Sequence, residues 1–136
     1  MSLDIALAKG APSSATEISV SFDDDENGGY YWFLHPLFER LAHSTGQYID
    51  VYGFAEFRGD DLAALDGMLS EARQLVLAQP EQWSVHVGTQ GGANLAWPRE
   101  LFRDVERSKF LALIDGLSAL VTQARSTGRP IVCLGD

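Results

Sequence analysis

Residues 110–134 read FLALIDGLSALVTQARSTGRPIVCL. Phe110, Leu113, Leu117, Leu120 and Ala124 recur at steps of three and four, beside Ile114 and Val121. That is the period of a helix with one apolar face. Gly128 supplies the stop, and Pro130 cannot continue the helix. Ile131-Val132-Cys133-Leu134 then reads as a buried strand. A helix feeding a buried strand is the unit of a sheet with helices packed on it.

Working outward, Leu62, Leu65, Leu69, Ala72 and Val76 repeat the helical spacing, with Met68 and Leu75 widening the stripe. Asp60 or Asp61 is the expected cap and Pro80 the end. Leu34, Leu37, Phe38 and Leu41 mark a third helix within 30–44. Pro36 fits best in a first turn, so this helix is expected to begin near His35, with His35 at its cap. Gly46 ends it.

The remaining segments alternate with period two. They are Leu3–Leu7, the run around Ile18, Val20 and Phe22, Tyr48–Phe57, and Trp83, Val85 and Val87. A return strand is expected at Leu95–Trp97 and a further one at Leu101, Arg103 and Val105. Gly10–Ala15, Asp23–Gly29 and Gly88–Asn94 read as loops or turns. The prediction is an α/β domain over 1–136: a single mixed sheet of five to six strands with three long helices packed on it. Some strand pairs are expected to be parallel. The early hairpin makes α+β the alternative.

The chain has 136 residues, 46% apolar and 21% charged, which is ordinary for a folded domain. No apolar run approaches a membrane span, and the N-terminus does not resemble a signal peptide, so a cytoplasmic protein is expected. One cysteine forms no internal disulfide and no zinc set. Ten basic residues against nineteen acidic ones give a net charge of -9. A chain so acidic is a poor fit to nucleic-acid phosphates. The charge is also uneven. Residues 1–29 hold six acids and one base, whereas residues 99–129 hold four acids and six bases.

Candidate chemistry is sparse. Asp23-Asp24-Asp25-Glu26-Asn27-Gly28 opens like a calcium loop, but the closing position is Leu34, which offers no ligand. Gly88-Thr89-Gln90-Gly91-Gly92 lacks the lysine and spacing of a phosphate loop. His35, His43 and His86 do not share metal spacing, and His86 falls on the wetter phase of its strand. Cys133 between Val132 and Leu134 reads as a small buried hydrophobe. Asp60 and Asp61 are adjacent, so they do not converge as an acid–base pair. No catalytic, cofactor or metal residues are assigned.

Tyr30-Tyr31-Trp32-Phe33 cannot all face one core. Beside the acids, they define the candidate partner-binding set: Asp23, Asp24, Asp25, Glu26, Tyr30, Tyr31 and Trp32. An exposed aromatic anchors an interface and acids favour a basic partner.

Trp83 to Gly88, Glu100-Leu101, the helix from Phe110, and Thr127-Gly128-Arg129-Pro130 leading to Gly135-Asp136 resemble small bacterial proteins. Some of these look like immunity proteins of toxin export systems. The resemblance covers about 50 residues and implies an α/β fold. The expectation is a non-enzymatic binding module of inhibitor or immunity type, with a basic protein partner and no membrane or nucleic-acid ligand. The alternatives are a small enzyme or ligand-binding protein, or a homo-oligomer, the simplest being a homodimer.

Overall fold

The computed structural model describes residues 2–7, 19–90 and 99–135. The expected Gly10–Ala15 loop and Leu95–Trp97 strand lie outside them, as does Ile18. The elements run β1 (Ser2–Leu7), β2 (Ser19–Asp23), α1 (Asp24–Thr45), β3 (Phe54–Phe57) and α2 (Asp60–Leu77). They continue with β4 (Gln82–Gln90), β5 (Arg99–Glu106), α3 (Arg107–Thr127) and β6 (Ile131–Gly135).

Three helices and a sheet are present, but the strands divide into two sheets rather than one. One sheet has the order β2-β1-β6-β3, and β4 and β5 form a separate ribbon. Among the described residues every pairing is antiparallel, so the expected parallel pairs are replaced. The ribbon stays apart because its apolar row already has a cover. Trp83 packs on Phe33 of α1 and stacks on Phe110 of α3.

In the four-stranded sheet Ile5 and Ala55 flank Cys133 across the strands, and Leu7 and Phe57 flank Ile131. These residues, with Leu3 and Phe22, are buried in one core with the apolar faces of α1, α2 and α3. That core encloses a void of only about 10 Å³, scarcely one water molecule.

Helix α1 departs most from the sequence reading. It begins at Asp24, not near His35, and it holds Pro36 in its interior. An interior proline costs about 3 kcal/mol. Tyr30, Tyr31, Leu34, Leu37, Phe38 and Leu41 are all buried on this helix. At about 1.5–3 kcal/mol each, their burial outweighs the break. Pro36 itself points to solvent.

Helix α2 has Gly59 as its N-cap, with no side-chain cap bond, and Asp60 and Asp61 lie in its first turn. There they still suit the positive end of the helix. Leu75 is exposed rather than part of the stripe.

Of the expected strand 48–57, only Phe54–Phe57 pairs. Asp50 diverts the chain. Its Oδ1 accepts the Tyr52 N–H at 3.2 Å, and its carbonyl accepts the Gly53 N–H at 3.3 Å. This is the local bonding by which Asp competes with a strand ladder.

That turn lies against β6. Gly135 donates its N–H to the Gly53 carbonyl at 2.8 Å. A Cβ at Gly135 would stand 2.3 Å from the Val51 carbonyl carbon and oxygen. Because backbone cannot rotate away as a side chain can, Gly135→Ala is expected to lose about 1–3 kcal/mol in urea unfolding. A loss below about 0.5 kcal/mol would show that the turn is not held against β6.

Candidate functional site

The β4–β5 ribbon carries two different faces. Its inner phase holds Val85 and Val105, both buried. A Cβ on Gly29 of α1 would lie 2.7 Å from Val105 Cγ1. Glycine there lets helix and ribbon approach closely. The Glu106 backbone N–H donates to the Tyr30 hydroxyl at 3.2 Å, fixing the base of the ribbon to α1.

The outer phase holds Gln82, Ser84, His86 and Thr89 from β4, opposite Glu106, Asp104, Phe102 and Glu100 from β5. A bulge between His86 and Gly88 shifts the register by one residue, so Thr89 rather than Gly88 falls on this side. The polar groups bond across the strands. Ser84 Oγ donates to Asp104 at 2.7 Å, and Thr89 Oγ1 donates to Glu100 at 3.2 Å. His86 Nε2 meets the same Glu100 carboxylate.

Phe102 lies across from His86, ring centroids 5.4 Å apart, and stays 54% exposed. Glu100 and Asp104 thus flank an uncovered aromatic along β5, with Glu106 next in the same row. Arg99 and Arg103 belong to the opposite phase. Lys109, in the first turn of α3, reaches Glu106 at 3.2 Å from the margin.

The residues singled out from the sequence lie at the end of β2 and in the first turns of α1. Asp23 ends β2, and Asp24, Asp25 and Glu26 open α1. The stretch 24–28 is helical, not a loop, which removes the geometry of a calcium loop. Tyr30 and Tyr31 are 5% and 3% exposed and belong to the core. Tyr30 meets Phe110 at 4.9 Å, and the Tyr31 hydroxyl donates to the Ile49 carbonyl at 3.0 Å. Trp32 is 37% exposed.

Next to Trp32, His35 stands inside α1 rather than capping it. Its Nδ1 lies 3.0 Å from Glu39 and its Nε2 2.6 Å from the Tyr48 hydroxyl. No group of three His, Cys, Asp or Glu side chains among the described residues is placed to hold a metal.

The expected strand at Leu101, Arg103 and Val105 leaves Phe102, Glu100, Asp104 and Glu106 of the other phase without a role. The complementary phase, acid–aromatic–acid–acid, was the available signal.

Two buried groups set an alkaline limit. Burial pushes the Cys133 thiol from 9.0 up to about 12. Burial also raises the Tyr31 phenol, helped by Tyr48 and then by Asp50. The fold favours the neutral form of each. Their contribution is therefore complete below the unfolded pKa and is lost as pH rises above about 9 towards about 12. For the thiol the slope is at most about 1.4 kcal/mol per pH unit. Cys133→Ala should flatten the fall in urea stability between about pH 8.5 and 11. Equal slopes in both proteins would sink this account.

No family model matches the chain, and no curated protein or solved structure matches it.

Proposed function

We propose that the chain is a non-enzymatic protein-binding module that engages a basic partner through the outer face of the β4–β5 ribbon. The observation that carries this reading is Phe102, 54% exposed between Glu100 and Asp104, with Glu106 further along the same row. A large aromatic left in water and flanked along its strand by acids is the composition of an interface anchor with a steering rim. The chain's net charge of -9 adds to the same field. The C-terminal resemblance suggests an inhibitor of immunity type, acting in the cytoplasm.

The test starts with a partner recovered from the native host, followed by binding kinetics at two salt concentrations. Neutralising Glu100, Asp104 and Glu106 to Gln, Asn and Gln should slow association about tenfold at low salt and flatten its salt dependence. Unchanged association at low salt would refute the ribbon as the steering surface. A homo-oligomer is the second reading. Its support is the cross-strand pair Phe54 and Leu134 at the sheet edge, 62% and 48% exposed. A concentration-independent monomer mass by light scattering would remove it.

A further inference from the structure

At the end of α3 remote from the ribbon, three arginines line one cleft. Arg58 comes from the turn between β3 and α2, Arg125 from the last turn of α3, and Arg129 from the turn into β6. With Gly59, Leu62, Ala124 and Gly128 they enclose a groove of about 320 Å³. Three of the ten basic residues of a chain with net charge -9 converge here, and no carboxylate lines the groove.

We propose that this cleft binds a phosphate monoester with a compact apolar body. The arginines are arranged for it. Arg58 is paired with Glu56, and Arg125 with Asp66 at 3.6 Å. Both carboxylates lie outside the groove lining. These pairs are exposed, and such pairs are weak enough to rearrange around a ligand. Arg129 has no ion pair or side-chain hydrogen bond among the described residues, so its donors are open to a ligand.

Three guanidinium forks exceed what one carboxylate can accept, whereas a phosphate presents three terminal oxygens. Helix α2 begins at Gly59 without a side-chain cap, and the Asp61 and Leu62 N–H groups of its first turn bond back to the Arg58 and Gly59 carbonyls at 3.1 Å, which holds Arg58 and Gly59 at the groove. Gly59 and Gly128 both hold positive φ, at 58° and 70°, and neither fills the opening with a side chain. Leu62 and Ala124, 4% and 0% exposed, back the groove with apolar atoms. The volume sits at the small end of ligand pockets, which suits one ring rather than a dinucleotide.

The test titrates phenyl phosphate, and benzoate as its carboxylate counterpart, into the 15N-labelled full chain at constant ionic strength. Amide shifts of Gly59, Gly128 and Arg129 are followed. Phenyl phosphate should bind at least tenfold tighter than benzoate. Arg129→Gln and Arg125→Gln should each weaken it tenfold or more with the rest of the spectrum unchanged. Arg40→Gln, at an exposed arginine paired with Glu71 elsewhere, should leave it within twofold. Equal affinity for the two probes, or cleft variants that titrate like the parent, would overturn the proposal. Either result leaves the ribbon reading intact, because the two sites share no residue.

Discussion

Phe110→Ala is expected to cost about 3–5 kcal/mol of unfolding free energy and to release the β4–β5 ribbon before the rest of the fold. Phe110 is fully buried at the start of α3. Its ring meets Tyr30 at 4.9 Å and Phe33 at 5.3 Å, both nearly edge-on, and stacks on Trp83 at 6.0 Å with an interplanar angle of 7°. One side chain therefore joins α1, α3 and β4. Aromatic pairs in these geometries add about 0.5–1.5 kcal/mol each beyond their buried area. Leu117→Ala removes a comparably buried side chain from the same helix and should cost about 2–5 kcal/mol. The two variants should differ in where they loosen the protein. Hydrogen exchange in Phe110→Ala should accelerate first in β4 and β5, because the ribbon shares no ladder with the larger sheet. A loss under about 1 kcal/mol, or exchange that accelerates evenly across both sheets, would show that Phe110 is not the joint between them.

The contrast between those two residues also shows what the sequence made legible. The stripe through Phe110, Leu117, Leu120 and Ala124 is a local signal, and it located α3 and β6 with Gly128 and Pro130 as punctuation. Strand partners are not local. Nothing in β6 announces that it inserts between β1 and β3, and nothing in β4 announces that it leaves the sheet. Pro36 reads as a helix boundary, yet α1 begins at Asp24. The deciding quantity was burial further up the chain, at Tyr30 and Tyr31. At Tyr48–Phe57 the alternation was real, but the Asp50 side chain captured the Tyr52 N–H and only four residues stayed extended. Of the partner-binding set expected at 23–32, the structure takes Tyr30 and Tyr31 into the core and leaves Trp32 exposed. Acids stand beside aromatics at 23–32, where the adjacent Tyr30 and Tyr31 turn into the core. The same pairing occurs along β5, where period two separates Phe102 from Val105 onto opposite faces.

That separation makes Phe102→Ala the sharpest probe of function. Phe102 contributes little to the folded monomer, since more than half of it is in water. The substitution should shift unfolding by no more than about 0.5 kcal/mol. Its partner complex should weaken by about 2 kcal/mol or more, roughly thirtyfold in Kd. The loss should appear as faster dissociation, because short-range packing of the ring acts after encounter, whereas the carboxylates act before it. Trp32→Ala and Phe54→Ala serve as comparisons. Trp32 is the aromatic the sequence placed beside the acidic stretch, and Phe54 is exposed on the sheet edge with no part in the ribbon. Both should leave Kd within about twofold, inside the range of peripheral contacts. If Trp32→Ala carries the loss and Phe102→Ala does not, recognition belongs to α1 and the acids before it. If only Phe54→Ala does, the sheet edge is the contact. The ribbon reading stands only if removal of Phe102 raises the dissociation rate while neutralisation of Glu100, Asp104 and Glu106 lowers the association rate. A surface that merely keeps the protein in solution has no reason to divide its two effects in that way.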